Sequence, residues 1–401
     1  MKVLITTDLY AITTNGVVTS LTNLRDELVK RGHEVRILTF SEDAHSHKED
    51  TVYYIRSMPI PVYNNVRMPL TYRHKLVKEL IEWKPDVIHS QCEFFSYEFA
   101  LYISKRTGAP IVHTCHTEYE QYSQYLIPGK RFGAFVVRTF MKSRLKKISA
   151  IIAPTEKTKQ TVLGYNFKNP IHVIPSGINL EQHKQRITPE ERAAKRAELG
   201  YTDENLVLIN LGRLGTEKRT DELISFMDSV RDRYPTVRLL IVGDGPARPD
   251  LEALTDKLSL RDRVHFTGMV KPTEVHEYYQ LGDVFVSAST SEAQGLTYIE
   301  SSANGLPLLC REDPCVLDVV KLGESGYAYK DELDFLDKLG AIIADPEWVR
   351  SAGRSGEEIA ATYDRAFFGE RMEQVYLEVI AEKERADAEK AAKKAAKRAK
   401  Q

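Results

Sequence analysis

Residues 1–40 read MKVLITTDLYAITTNGVVTSLTNLRDELVKRGHEVRILTF, and this stretch indicates how the chain folds. Lys2–Thr7 is a short, mostly apolar run of the kind that forms a buried strand. Val17–Arg31 repeats its apolar side chains at helical spacing, and Gly32 is a typical residue for ending such a helix. Glu34–Phe40 then predicts a second strand. A strand, a helix and a strand in this order predict a parallel βαβ unit.

The same alternation of strands and helices continues along the chain in two separate series. Further strands of the first series are predicted at Val87–Ser90, Ile111–Thr114, Ala150–Ala153 and His172–Ile174. Strands of the second series are predicted at Leu206–Leu211, Arg238–Val242, Val264–Phe266, Val284–Ser287 and Pro307–Cys310. The fold class is therefore α/β, with two Rossmann-like, doubly wound parallel-sheet domains that we expect to face each other across a cleft.

The domain boundaries follow from where one series ends and the next begins. We place a first domain at residues 1–178 and a second at 179–360, with the hinge near Pro175–Leu180. Glu357–Ile380 predicts a final helical region, and we expect residues 361–380 to pack back on the first domain. Residues 381–401 are almost entirely Ala, Lys and Glu, a composition too polar to pack, so they predict a solvated tail.

Charge is distributed unevenly along a chain whose overall net charge is only −1. Residues 1–175 contain 24 Lys and Arg against 16 Asp and Glu, a net of +8, so the remainder carries a net of −9. Such asymmetry indicates an anionic surface as the partner of the first half.

Several classes of protein are excluded by what the sequence lacks. No stretch of about 18 apolar residues suggests a membrane span, and the N-terminal residues do not have the pattern of a signal peptide, so a cytoplasmic location is expected. The four cysteines form no CxxC pair and are expected to be buried thiols rather than metal ligands. No GxGxxG follows the first strand, which argues against a nicotinamide-dependent enzyme.

Five separated motifs carry a family resemblance. They are Leu28–Val35 (LVKRGHEV), Gly212–Arg219 (GRLGTEKR), Gly243–Pro246 (GDGP), Phe266–Val270 (FTGMV) and Ser291–Pro307 (SEAQGLTYIESSANGLP). In this order and spacing the motifs resemble family-4 retaining glycosyltransferases, which have the two-domain GT-B fold. The resemblance extends over about residues 1–380, and it implies a nucleotide-sugar donor bound mainly by the second domain.

Two cations stand just past the carboxyl end of a predicted strand, where open α/β sheets bind ligands. Arg213 and Lys218 suit a diphosphate, because Arg presents a planar fork of donors and Lys a point charge. They would stabilise the leaving nucleotide as its charge grows in the transition state. The resemblance also places Gly243 and Val270 at the donor site.

Two glutamates separated by seven residues form the second part of the expected donor site. Gly295, Leu296 and Thr297 would open a helix whose free backbone N–H groups point at a phosphate. The resemblance implies that Glu300 binds the ribose hydroxyls and that Glu292 contacts the donor sugar. Many relatives have Gly-Phe where this chain has Ala-Gln at 293–294, which leaves the choice of sugar open.

The first domain is expected to supply a histidine and a glycine. His116 follows a buried strand and matches the active-site histidine of the family, which lies beside the donor sugar. Gly16 occupies the place of a glycine-rich loop near the diphosphate and the acceptor. No Asp-x-Asp follows a strand, so we expect no metal requirement and no cofactor beyond the nucleotide-sugar co-substrate. The family's preferred account of retention is attack from the face that the leaving group departs from.

Residues 129–147 (GKRFGAFVVRTFMKSRLKK) predict a basic amphipathic helix, a pattern typical of a membrane interface. The basic and aromatic side chains expected to bind the membrane are Lys130, Arg131, Phe132, Phe135, Arg138, Phe140, Lys142, Arg144, Lys146 and Lys147. An ordinary helix that packs on the sheet is the alternative interpretation of the same pattern.

A membrane-binding surface on a glycosyltransferase favours a lipid acceptor. The motif TSEAQGLTYIE at 290–300 is similar to that of bacterial diacylglycerol α-glucosyltransferases, which implies transfer of glucose or a related hexose from a UDP-sugar to diacylglycerol. The chain is then expected on the inner face of the cell membrane, with no nucleic-acid partner. A family-4 enzyme for a polyprenyl-linked, protein or soluble acceptor, a UDP-sugar epimerase and a non-catalytic lipid-binding protein are the alternatives. The sequence leaves the oligomeric state open.

Overall fold

The computed structural model describes residues 1–10, 15–60, 67–117 and 130–398, and the chain forms two compact α/β units. The first unit comprises Met1–Thr13, Val17–Gly177 and Ala366–Gln401. The second comprises Thr14–Gly16 and Ile178–Arg365. The C-terminal part of the chain therefore belongs to the same unit as the N-terminal part.

A mostly parallel sheet forms the centre of the first unit. Its strands are β1 (Lys2–Thr6), β2 (Glu34–Ser41), β3 (His47–Glu49), β4 (Val52–Pro59), β5 (Arg67–Pro69), β6 (Val87–Ser90), β7 (Ile111–Thr114), β8 (Ala150–Ala153) and β9 (Ile171–Val173). The order is β3-β4-β2-β1-β6-β7-β8-β9, and β5 pairs with β4. Only the β3–β4 and β4–β5 pairs among these described strands are antiparallel.

Helices cover the first sheet. They are α1 (Gly16–Lys30), α2 (Lys75–Trp83), α3 (Phe95–Thr107), α4 (Lys130–Leu145), α5 (Glu156–Gly164) and the C-terminal α15 (Arg365–Arg398). The apolar face of α1 packs on β1, since Leu21, Leu24 and Leu28 are fully buried in one cluster with Val3 and Ile5.

The second unit contains a six-stranded, fully parallel sheet. Its strands are β10 (Leu206–Leu211), β11 (Val237–Val242), β12 (Val264–Gly268), β13 (Val284–Ser287), β14 (Leu308–Arg311) and β15 (Gly326–Tyr329), in the order β12-β11-β10-β13-β14-β15. Its helices are α6 (Leu180–His183), α7 (Pro189–Glu198), α8 (Thr220–Arg233), α9 (Arg248–Lys257), α10 (Val275–Tyr279), α11 (Leu296–Ala303), α12 (Pro314–Val319), α13 (Glu332–Ala344) and α14 (Pro346–Ala361). One apolar cluster lies on each face of the sheet. This strand order is that of a doubly wound Rossmann sheet.

The predicted fold class is confirmed, and the predicted parallel strands are present with ends that differ by at most two residues. The sequence analysis missed the strands β3, β4, β5 and β15. β4 pairs parallel with β2, and β3 and β5 pair antiparallel with β4; these three strands are partly exposed and lack the continuous apolar run of a buried parallel strand. The prediction of one final helical region at Glu357–Ile380 is also corrected. It contains the end of α14 and the start of α15, two separate helices joined by residues 362–364.

The C-terminal helix α15 contributes to the core of the first unit. Phe368, Met372, Val375, Tyr376 and Val379 are buried in the cluster that contains the strands of the sheet. Beyond the first half of the helix the packing ends, and every described side chain from 384 to 398 is exposed. The helix is therefore held by its first four turns, and the Lys/Ala-rich segment is a solvated extension of it.

Met372→Ala should destabilise the first unit, because the side chain is fully buried and its removal leaves a cavity. A cost of about 2–5 kcal/mol in the free energy of unfolding is expected. Leu377→Ala is the matched control on the same helix, since Leu377 is 46% exposed and its loss should cost no more than about 0.5 kcal/mol. Urea unfolding of the two variants checks this expectation, and equal midpoints would contradict it.

Candidate active site

The strand order of the second unit reverses between β10 and β13. From these adjacent strands the chain builds outward in opposite directions, to β11 and β12 on one side and to β14 and β15 on the other. Open α/β sheets bind ligands outside the carboxyl ends of the strands at such a point. Strand β10 ends at Leu211 and β13 at Ser287, so the arginine-lysine motif and the glutamate motif both start beside the reversal.

The loop after β10 packs backbone to backbone against the loop after β11. Gly212 N donates to Val242 O and Leu214 N to Asp244 O, each at 3.0 Å. Gly243 has φ 130°, and a Cβ there would lie 2.0 Å from the Gly212 carbonyl oxygen. Glycine is therefore required at this approach. The structure thus gives Gly243 a packing role, and a contact with the donor stays a prediction.

Both predicted diphosphate ligands are paired with carboxylates. Arg213 forms an ion pair with the nearly buried Glu217, which lies in the single turn of 3₁₀ helix at Thr216–Lys218. Lys218 Nζ lies 2.6 Å from Glu292 Oε1, so the first motif touches the second. A diphosphate that binds here would have to displace these carboxylates from the two cations or share the cations with them. The structure therefore shows both cations in ion pairs, and their contact with a diphosphate stays a prediction.

Helix α11 starts at Leu296, directly after Gly295. Gly295 has φ 76°, and a Cβ there would lie 2.5 Å from the ring of Tyr298, so only glycine allows this sharp entry. Leu296 and Thr297 are the first two residues of the helix, whose N–H groups have no partner one turn earlier. This arrangement suits an anion.

Glu300 lies one turn further along α11 and is held by a residue that the sequence analysis missed. The hydroxyl of Tyr279, which is fully buried, donates to Glu300 Oε2 at 2.9 Å. Burial raises the pKa of the Glu300 carboxyl, and the bond from Tyr279 opposes that rise. Tyr279 ends a short helix 21 residues earlier, and no local pattern indicates its role. Val270, the remaining residue predicted here, is half-buried just beyond β12 and packs on the core of this unit.

In the first unit, the equivalent reversal of strand order lies between β1 and β6. His116 follows the neighbouring β7, and its Nε2 lies 2.6 Å from Oε1 of Gln91, which directly follows β6. Burial, with a smaller contribution from His113, lowers the pKa of His116 to about 3. The imidazole is therefore neutral at physiological pH. Gln91 was also missed, because an isolated glutamine carries no sequence signal.

A carboxylate lies beside the same reversal. Asp8, just past β1, accepts hydrogen bonds from Ser96 N at 3.0 Å and from Ser96 Oγ at 3.1 Å, at the start of α3. Burial raises the pKa of Asp8 to about 6, against the opposing effect of these two bonds. Gly16 is the first residue of α1, and residues 11–14 shortly before it lie outside the described part of the chain, so the predicted place of Gly16 near the diphosphate and the acceptor stays a prediction.

One group of side chains in the described part of the chain has the spacing of a metal site. Ligand atoms of Glu93, His113 and Cys115 lie within 4.8 Å of one another, and all three residues are buried. His113 Nε2 and Glu93 Oε1 are 3.1 Å apart, a hydrogen bond that joins two of the three side chains without an ion, while Nδ1 of His113 is buried and meets no hydrogen-bond partner among the described residues. We therefore interpret this group as part of the buried polar network around β6 and β7.

The predicted membrane helix α4 has one packed and one exposed face. Met141 and Leu145 are buried in the core of the first unit, with Val137 and Phe140 packed against it. Arg144 forms an ion pair with Glu98 and lies over the ring of Phe140, 5.0 Å from its centroid. Phe140 and Arg144, two of the residues predicted to bind the membrane, therefore lie on the packed face.

The other predicted membrane ligands of α4 and its flank lie outward where the structure describes them. Phe132 and Phe135 are 63% and 65% exposed. Arg138, Lys142, Lys146 and Lys147 are exposed as well. The side chains of Lys130 and Arg131 lie outside the described residues. Among the described helices, none is long and apolar enough to cross a membrane.

Comparison with solved structures identifies the fold. A crystal structure of the Anabaena protein HepE in complex with UDP and glucose has a TM-score of 0.75 at 16% identity and covers 94% of this chain and 99% of its own. Sucrose-phosphate synthase from Thermosynechococcus elongatus has a TM-score of 0.74 at 22% identity, with 95% and 99% coverage. The two Rossmann-like units give the chain the GT-B fold.

The sequence comparisons identify the family. The glycosyltransferase family 4 model matches residues 14–182, and the glycosyl transferases group 1 model matches residues 191–358. The chain is 32% identical to the alpha-monoglucosyldiacylglycerol synthase of Streptococcus pneumoniae, over 95% of this chain and 86% of the relative. It is 30% identical to the enzyme of that name from Acholeplasma laidlawii, over 95% and 98%. The chain belongs to glycosyltransferase family 4.

Arg213→Ala and Lys218→Ala should each lower the rate of glycosyl transfer without unfolding the protein. Each removes a cation that we expect to stabilise the leaving diphosphate, which predicts a loss in kcat of roughly 100- to 1,000-fold. Arg261→Ala, which removes a half-exposed cation paired with Asp256 in the same unit, is the control and should keep parent turnover. Steady-state kinetics check this, and a folded Arg213/Lys218 double variant with parent turnover would exclude the assignment.

Glu300→Ala should weaken UDP binding by roughly 10- to 100-fold, because the ribose hydroxyls lose a charged acceptor. Tyr279→Phe should weaken it by about fivefold, since Glu300 then loses the bond that orients it. Glu292→Ala should lower turnover and leave UDP bound. Titration calorimetry with UDP separates these effects, and Tyr201→Phe, a buried tyrosine bonded to His265 instead, is the control. Unchanged UDP affinity in Glu300→Ala would show that the ribose contact is misassigned.

Proposed function

We propose that this glycosyltransferase transfers glucose, or a related hexose, from a UDP-sugar to diacylglycerol, with retention of configuration, to give an α-glycosyl lipid. The observation that carries the proposal is the similarity to two alpha-monoglucosyldiacylglycerol synthases over 95% of the chain. Both share more of their length with this chain than a single domain would explain, so the acceptor-binding half is included in the match.

The chemistry of the second unit supports a nucleotide-sugar donor. Arg213, Lys218 and the N-terminus of α11 are three positive groups at one strand-order reversal, as a departing diphosphate requires. HepE, whose fold is similar, was solved with UDP-glucose. In the proposed reaction the sugar–phosphate bond breaks, the diphosphate stays on these groups, and the acceptor hydroxyl attacks from the same face. Glu292, already bound to Lys218, would contact the sugar hydroxyls.

The outward face of α4 supports an acceptor in a membrane. Two largely exposed phenylalanines are followed along the helix and its flank by the exposed cations Arg138, Lys142, Lys146 and Lys147. Interfacial helices that insert into anionic bilayers combine exposed apolar side chains with cations in this way. The net charge of +8 over residues 1–175 extends the same attraction. We therefore propose peripheral binding to the inner face of the cell membrane.

The direct test is incubation of the protein with UDP-glucose and a lipid extract, followed by mass spectrometry of the lipids and NMR of the product anomer. An α-glucosyl diacylglycerol is expected. A glycosylated polyprenyl phosphate or a glycosylated soluble product would show that the acceptor is not diacylglycerol. Epimerised sugar released without any acceptor would replace the proposal with a UDP-sugar epimerase.

Transfer should survive excess EDTA, because Arg213, Lys218 and the start of α11 supply the positive charge that a metal supplies elsewhere. The check is the rate of UDP release with and without the chelator. A heat-inactivated sample sets the background. Loss of activity that Mg²⁺, Mn²⁺ or Zn²⁺ restores would refute metal independence, and restoration by Zn²⁺ alone would point to Glu93, His113 and Cys115.

Vesicles with anionic lipid should bind the protein better than neutral vesicles, and high salt should weaken the difference, because charge attraction is screened over about 8–10 Å. Changing Arg138, Lys142, Lys146 and Lys147 to Gln should reduce this binding and leave UDP affinity intact. The matched control changes four exposed cations of the second unit, Lys257, Arg261, Lys271 and Lys321, to Gln. Co-sedimentation at several salt concentrations measures vesicle binding by the parent and by both quadruple variants. Equal binding by the parent and the α4 variant would show that α4 has only a structural role.

A further inference from the structure

A chain of buried polar contacts leads from the C-terminal helix of the first unit to His116. The hydroxyl of Tyr376 lies 2.7 Å from Nδ1 of His89, and Nε2 of His89 lies 2.7 Å from Thr114 Oγ1. Gln91 lies between His89 and His116, with its amide nitrogen toward the first ring and its oxygen 2.6 Å from Nε2 of the second. Tyr376 is 287 residues from His89 in the sequence.

The proton positions along this chain follow from burial. His89 and Tyr376 are completely buried. Burial lowers the pKa of His89 well below its usual value and raises that of Tyr376 well above, so both groups are neutral. The buried hydroxyl meets no acceptor other than His89 in the described part of the chain, so it donates to Nδ1. A neutral His89 that accepts at Nδ1 carries its proton on Nε2 and donates to Thr114.

Tyr376 and Thr114 hold the His89 ring through its two nitrogens, and the Gln91 amide packs against that ring. Its amide nitrogen is nearly equidistant from the two nitrogens of His89, at 3.1 and 3.2 Å, so the NH₂ group lies against the ring rather than on one lone pair. The Gln91 side chain is itself buried, and its oxygen is the end that meets His116. A carbonyl oxygen can only accept, so Nε2 of His116 must carry the proton. The neutral ring then has its lone pair on Nδ1, which is the nitrogen that can accept a hydrogen bond.

We propose that Gln91 is a positioning residue that holds His116 in the Nε2–H tautomer, and that Tyr376 orients Gln91 through His89. The inference rests on the proposed function in one respect, the role of His116 in glycosyl transfer. It goes beyond that function because it assigns a role in catalysis to the C-terminal helix. Packing alone would require only an apolar residue at 376, since its neighbours on α15 are Met372 and Val379.

The alternative is that the contacts only fill the core. A wrongly placed or wrongly protonated imidazole should lower kcat and leave donor affinity unchanged, because the diphosphate and ribose ligands belong to the second unit. A core defect would instead lower stability without changing the tautomer of His116. The two explanations therefore differ in a spectroscopic signature and in the division of the effect between kcat and KM.

The test is ¹⁵N-histidine NMR of the full-length protein, with His116 and His89 assigned from their alanine variants. The parent should show His116 protonated at Nε2 and unprotonated at Nδ1. Gln91→Met, which keeps the size but removes donor and acceptor, should give mixed tautomers and lower kcat by about 100-fold with unchanged KM for UDP-glucose. Tyr376→Phe should mix the tautomers of His89 and lower kcat by about tenfold. Tyr53→Phe is the control, a buried tyrosine of the same unit whose hydroxyl bonds Glu79.

The outcomes separate this inference from the proposed function. A parent His116 protonated at Nδ1 would overturn the positioning role, whatever the acceptor is. Parent kcat in a folded Gln91→Met would overturn it as well, provided His116→Ala is inactive. If His116→Ala keeps full activity, the positioning role falls together with the catalytic assignment of His116. If no lipid is glycosylated, the proposed function fails, and the tautomers and the rate of transfer to the true acceptor still decide the role of Gln91.

Discussion

Parallel strands in one sheet can be joined only by a crossover that returns the chain to the same end, and the rest of this structure depends on that constraint. All parallel strands of a unit therefore end at one edge. In both sheets the first strand is central and its two neighbours lead away in opposite directions, which leaves a crevice at that edge. The residues that we propose to take part in catalysis or binding lie within a few positions of these strand ends. Gln91, Arg213 and Glu292 are examples.

In the second unit, this edge brings together groups of opposite charge. Lys218 and Glu292 are separated by 74 residues and form an ion pair at 2.6 Å. This ion pair partly neutralises the positive charge of the site before a diphosphate binds. It also holds the carboxylate that we propose contacts the sugar. Two glycines close to these residues have a structural role. Gly243 allows the loops after β10 and β11 to approach each other, and Gly295 allows the sharp entry into α11 beside Tyr298.

In the first unit the same edge carries, besides the Asp8 carboxylate, a network of buried neutral side chains. Burial keeps His89 and His116 uncharged, so the network is held by hydrogen bonds whose donors and acceptors must match. The C-terminal helix takes part because its apolar face completes the core around the sheet, which brings Tyr376 to His89. The helix α4 divides similarly into a packed and an exposed face, and only the exposed face can meet a membrane.

The sequence by itself determined the α/β class, the buried parallel strands, the family and the position of each motif, because apolar periodicity and glycine-marked turns are local properties. It predicted Arg213, Lys218, Glu292 and Glu300 as a group through the family resemblance that their motifs carry. Only the tertiary structure decided which groups pair, as in Tyr279 with Glu300 and Gln91 with His116. It alone also decided that Phe140 and Arg144 pack inward. The physical reason is that hydrogen bonds and ion pairs between distant segments depend on the three-dimensional packing of whole elements, which no local pattern encodes.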